Sequence, residues 1–143
     1  MPTIISGRTL HKVLVISLVI ITARAAARAQ SHPEYISFRR GVKGALYKPD
    51  AGPAPHVGII LMHRTSNFLN HIATTELSRR GFMVLGMNPR SDNNEAIVHW
   101  ETIPLDVKAG VEYLRKQPGI TKVLLWGFSG GGPTMTFSQN VTF

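Results

Sequence analysis

A chain of 143 residues with a formal charge of +8 has room for one ordinary domain, and its basic balance raises nucleic acid as a partner. The charge is unevenly placed: Arg8, Lys12, Arg24 and Arg28 fall in the first 29 residues with no acid among them, and setting that segment aside leaves +4. No basic stripe or aromatic platform then remains to argue for nucleic acid, and the absence of cysteine excludes disulfides and thiolate metal sites.

Residues 1–29 combine a positive start (Arg8, Lys12), an apolar stretch from Val13 to Ile21, and Ala27-Arg28-Ala29 before Gln30. This pattern predicts a secretory signal peptide with an A-x-A cleavage site and a secreted or periplasmic product. The apolar stretch is shorter than the roughly 20 residues a membrane-crossing helix needs, so no stable membrane span is expected after cleavage. An uncleaved signal anchor and an organelle transit peptide are the alternatives, the latter because no acid precedes Glu34. Residues 30–143 form the domain.

Glu34 to Arg40 and Val42 to Lys48 are short β-branched and aromatic segments meeting at Gly41, which predicts an antiparallel hairpin. Pro49 to Pro55 is a breaker-rich loop. Val57 to Met62 is apolar on both faces, as a buried parallel strand must be. Ser66 and Asn67 are caps for a following helix, with Leu69, Ile72, Ala73 and Leu77 on one face and Gly81 as the left-handed stop. The strand Phe82 to Met87 follows at once and completes a βαβ unit. Asn88 to Asn94 is a polar loop at the carboxyl end of that strand, where open α/β sheets bind ligands. A second helix is predicted from Pro104 to Lys116, with Thr102 as cap and Val107, Val111 and Leu114 inward, and Lys122 to Trp126 is the third parallel strand.

That strand runs into Gly127-Phe128-Ser129-Gly130-Gly131, a G-x-S-x-G sequence. In such a nucleophile elbow a serine sits on a strained strand-to-helix turn with its hydroxyl exposed, and glycines flank it because a Cβ would collide with the turn. Gly127 to Thr134 also overlays a phosphate-binding G-x-x-x-x-G-K-S/T loop, but Pro133 stands where the lysine belongs, which argues against nucleotide.

The elbow, the run Val57 to His63 and the segment Arg79 to Met87 together resemble the first half of an α/β-hydrolase, over about Tyr35 to Thr136. The resemblance implies an α/β fold with a partial α/β-hydrolase sheet: the hairpin, then three parallel strands with crossover helices, truncated after the elbow. Ser129 would be the nucleophile, with the backbone N–H groups of Gly130 and Thr65 as the oxyanion hole. His63 would support the oxyanion loop, a role weighed against that of general base, and Arg64 departs from the glycine usual at its position. His32, His56, His71 and His99 are too scattered for metal-ligand spacing.

A triad acid and histidine follow the serine in that family, whereas 14 residues follow Ser129 here. The expectation is therefore a serine hydrolase by lineage, acting on a small carboxylic ester or related acyl substrate without cofactor or metal, and inactive on its own. The alternative is a non-catalytic protein with binding capacity only. The order implied by the resemblance leaves Val123 to Trp126 at the sheet edge, an exposed apolar strand suited to self-association.

Overall fold

A computed structural model describes residues 32–91 and 94–142. The expected signal peptide and its cleavage site lie outside the described residues, as do Asp92 and Asn93 of the polar loop. The chain forms strands β1 (Glu34–Ser37), β2 (Lys43–Tyr47), β3 (Val57–Met62), β4 (Met83–Asn88) and β5 (Lys122–Trp126), with helices α1 (Ile72–Arg79), α2 (Ile103–Arg115) and α3 (Gly131–Thr142). The five strands form one sheet in the order β1-β2-β4-β3-β5, antiparallel in its first two pairings and parallel in the other two. The expected arrangement of hairpin, crossover units and edge strand is the arrangement found.

Alternation explains the layers. Ile60 and Met62 of β3 face α2 and α3 with Leu85, Met87, Val107, Val111 and Leu114, whereas Ile59 and Leu61 face α1 with Ala45, Val84 and Phe68. An apolar side chain on both faces of β3 thus finds a helix layer on each side, and each such Leu or Ile contributes about 1.5–3 kcal/mol when fully buried.

The hairpin is shorter than the sequence suggested, because a 3-10 turn at Arg39–Gly41 takes its centre. Arg40 (φ 62°) and Gly41 (φ 82°) are both left-handed there, which reverses the chain before Lys43 pairs with Ser37. Helix α1 also departs from expectation. Its cap is His71, whose side chain accepts from the Ala73 N–H, and neither Ser66 nor Asn67 caps it. With the helix starting at Ile72, the phase shifts: Ile72 is 69% exposed, while Thr74 and Ser78 are buried against the sheet beside Ala73 and Leu77. Burying polar Thr74 is tolerable because its hydroxyl donates to the His71 carbonyl at 2.6 Å. Gly81 takes the expected left-handed stop, with φ 92°. At the start of α2, the Thr102 hydroxyl bonds the His99 carbonyl instead of capping the helix.

Among the described residues, strand β5 pairs on one side only, with β3. Its outer flank and α3 border a groove of about 310 Å³ lined by Val123, Leu124, Leu125, Met135, Thr136, Gln139 and Asn140.

Candidate active site

Three connections meet at the carboxyl ends of the parallel strands: the loop after β3, the loop after β4 and the turn after β5. The last turn is the sharpest. Ser129 has φ 52°, a left-handed backbone on a residue with a Cβ, and it is exposed between the end of β5 and the start of α3. Such a conformation costs roughly 1–2 kcal/mol in an L residue, so the surrounding structure must hold it. Gly131 N–H donates to the Phe128 carbonyl at 2.8 Å and Gly132 N–H to the Ser129 carbonyl at 3.0 Å, which closes the corner. A Cβ on Gly127 would run into the backbone of Gly131 and Gly132, and one on Gly131 would meet the Met62 carbonyl at 2.9 Å. The turn therefore packs directly on the end of β3. Ser129→Gly is expected to raise stability by about 1 kcal/mol through relief of this backbone strain, seen as a higher urea midpoint. A lower midpoint would mean that the strain relieved is smaller than the roughly 0.5–1 kcal/mol of backbone entropy that glycine adds to the unfolded chain.

His63, the residue after β3, is 9% exposed and lies under the corner, its Nε2 2.8 Å from where a Cβ on Gly130 would stand. Its Nδ1 accepts the N–H groups of Thr65 (3.1 Å) and Ser66 (3.0 Å). A neutral imidazole accepting at Nδ1 carries its proton on Nε2, so the nitrogen nearest the elbow is a donor and not a base. The two bonds tie the start of the loop to the imidazole at the end of β3. They also direct the Thr65 N–H, the expected second oxyanion donor, at the imidazole ring. Among the described residues no hydrogen bond reaches the Ser129 hydroxyl.

Burial, and secondarily the Arg64 charge, hold the His63 pKa below the ordinary imidazole value, with Glu95 opposing. The unfolded chain then takes up this proton at a higher pH than the folded chain does. Stability linked to His63 is present above the ordinary value of about 6.5 and is lost as pH falls through the lower folded value. Between pH 7 and pH 5 the urea midpoint is expected to fall less in His63→Asn than in the parent, and equal falls would show that His63 does not contribute.

The loop after β3 is tied down by residues that sequence reasoning did not single out. Asn88, the buried last residue of β4, accepts the Phe68 N–H at 2.9 Å and donates to Asn67 Oδ1 at 3.1 Å. Tyr47 donates to the Leu69 carbonyl at 2.8 Å. Phe68 stacks on His71 with ring centres 4.5 Å apart. A polar residue closing an apolar strand just before Pro89 was the one available signal for Asn88.

Arg64 comes next to the elbow. A Cβ on Gly130 would overlap its Nη1, so the guanidinium rests against the residue that follows Ser129. Its position is held by the Trp100 ring, 5.2 Å from Cζ, and by Glu95, whose Oε1 is 3.8 Å from Nη2. Glu95 also accepts from Thr65 Oγ1 at 3.4 Å. In the loop after β4, Arg90 is bound to Asp106 of α2, so that loop is anchored to the helix layer. Among the described residues no group of three or more His, Asp or Glu side chains is placed to hold a metal ion.

No family model matches the sequence, and none of the curated proteins compared with it is significantly similar. Solved structures do match. A dienelactone hydrolase-like promiscuous phosphotriesterase from metagenomic libraries aligns at TM-score 0.62 and 17% identity, over 76% of this chain and 53% of its own. Est1E from Butyrivibrio proteoclasticus aligns at TM-score 0.58 and 22% identity, over 76% of this chain and 45% of its own. Brefeldin A esterase, a bacterial homologue of human hormone-sensitive lipase, aligns at TM-score 0.58 and 18% identity, over 96% of this chain and 45% of its own. The chain thus spans about half the length of these structures, and at such identities the likeness speaks for the fold alone. The mixed sheet in the order β1-β2-β4-β3-β5, with helices on both faces, is the N-terminal half of an α/β-hydrolase fold.

Proposed function

We propose that this chain has the nucleophile side of a serine hydrolase, acting on a small carboxylic ester or related acyl compound through an acyl-enzyme at Ser129. The observation that carries this reading is the left-handed Ser129 backbone at an exposed strand-to-helix corner (φ 52°). A left-handed backbone is uncommon in a residue with a Cβ, and at the end of a strand that leads into a helix it is the conformation an elbow needs to lift the hydroxyl clear of the sheet. Attack by Oγ makes the carbonyl oxygen anionic, with the Gly130 N–H and the loop from His63 to Ser66 on that side. A serine hydroxyl also needs a base, and no described residue bonds it, so turnover by this chain alone is expected to be slow or absent.

The test is labelling by a fluorophosphonate probe. Labelling of the parent that disappears in Ser129→Ala supports the nucleophile. A parent that takes no label while folded favours the second reading, a protein that binds without catalysis, for which the unbonded hydroxyl is the specific observation. The unpaired β5 edge, with Leu124 45% exposed, supports self-association in either case. Sedimentation is expected to show association that grows with concentration, and a monomer at micromolar concentration would overturn it.

A further inference from the structure

We infer that the Arg64 guanidinium is the second donor to an oxyanion formed at Ser129, in the place where a backbone N–H of the following loop residue was expected. The inference rests on the Ser129 reading and assigns a further residue to the same site. Two observations carry it. The Thr65 N–H is already engaged by His63 Nδ1 at 3.1 Å, together with the Ser66 N–H at 3.0 Å, so the loop turns these donors inward toward the ring. Arg64 Nη1, by contrast, lies against Gly130, whose own N–H is the first donor beside the nucleophile.

The guanidinium is held there from two sides. Trp100 lies 5.2 Å beneath Cζ, and Glu95 Oε1 is 3.8 Å from Nη2, the nitrogen other than the one against Gly130. Arg64 is only partly exposed, its side chain at 28%, while Glu95 is largely in solvent at 73%. A carboxylate in solvent orients the cation without neutralising it strongly. A planar cation with an N–H edge facing the elbow is suited to an anionic oxygen on a tetrahedral centre. Preorganised charge of this kind acts where charge develops in the reaction.

A boronic acid tests this without requiring a catalytic base. Ser129 Oγ adds to the trigonal boron of phenylboronic acid, the Oγ–B bond forms, the hydroxyl proton goes to water, and the boron keeps both hydroxyls with a formal negative charge. Binding is followed by boron NMR for the tetrahedral species and by tryptophan fluorescence for the dissociation constant. The parent chain is expected to form the adduct and Ser129→Ala to form none. Arg64→Met is expected to weaken the adduct by more than about tenfold, and Arg64→Lys, which keeps the charge, to stay within about fivefold of the parent. Neutral benzamide, which forms no adduct, is expected to bind parent and Arg64→Met alike, a result that a merely structural role for Arg64 would not produce. Should Arg64→Met lose its circular-dichroism spectrum, Arg64→Gln, with a planar polar end on the Trp100 ring, takes its place. Adduct formation within twofold of the parent in the neutral variant overturns the role of Arg64 and leaves Ser129 standing. A folded parent with no tetrahedral boron overturns both.

Discussion

Asp106→Ala is expected to lower the unfolding free energy by about 3–5 kcal/mol, the range for removing one partner of a buried ion pair. Asp106 is 1% exposed and stands in the first turn of α2, where the helix N-terminus favours a carboxylate. Its Oδ2 accepts the Arg90 N–H at 3.1 Å, and its Oδ1 accepts Arg90 Nε at 2.8 Å and Nη2 as well. Alanine removes all of these acceptors together. It leaves a guanidinium that is 20% exposed without its anion, and a backbone N–H without a partner. Asp106→Asn keeps one acceptor for the N–H and is expected to lose less. Urea unfolding followed by tryptophan fluorescence measures both. A loss below about 1 kcal/mol for alanine would show that the pair is solvated and that the loop after β4 is anchored by other contacts.

The second large effect is expected at Gly127. A Cβ there would meet the carbonyl group of Gly131 and the Gly132 nitrogen, which are backbone atoms that no rotamer change can move aside. Gly127→Ala must therefore open the corner, at about 1–3 kcal/mol of stability. It also displaces Ser129. Misplacing a reacting group by about 1 Å lowers rates by roughly a hundredfold, so fluorophosphonate labelling of Gly127→Ala is expected to fall at least that far. Gly132 provides the contrast, since nothing lies within 4 Å of its added Cβ. Gly132→Ala is expected to gain about 0.5–1 kcal/mol, the ordinary gain from alanine in a helix. Labelling retained in Gly127→Ala would show that the proposed reactivity of Ser129 does not depend on a closed turn.

The two glycines differ in a way the sequence does not reveal. Both belong to the same glycine-rich run, and the reason for each depends on how closely the start of α3 folds back on the end of β5. The spacing of Gly127, Ser129 and Gly131 was enough to locate the corner, because a tight turn needs small residues at fixed offsets. It was not enough to place Arg64 against Gly130, since that contact joins the connections after two strands whose separation is set by sheet pairing.

Strands β3 and β5 were legible to the residue, β3 because a strand covered on both faces is apolar along its length, and β5 because the Pro118-Gly119 stop and Gly127 bracket a short apolar run. The hairpin was legible in kind but not in length, since a left-handed arginine at position 40 carries no composition signal. Helix α1 shows the opposite limit. Its apolar spacing fitted one helical face, yet the cap at His71 shifted the phase, exposed Ile72 and buried Thr74. Local pattern cannot tell where a helix begins when an imidazole in place of the usual Ser or Asn supplies the cap.

The amino-acid sequence alone determined the order of elements, the apolar strands and the glycine corner that carries Ser129. Each of these depends on residues close together in the chain and on the period of their burial. Only the tertiary structure decided which nitrogen of His63 faces the elbow, that the Thr65 N–H turns to that ring, and that Arg64 is held by Glu95 and Trp100 beside Gly130. Those contacts bridge residues that are as many as 66 positions apart, and side-chain direction across a sheet is fixed by packing and hydrogen-bond satisfaction, which no linear pattern encodes.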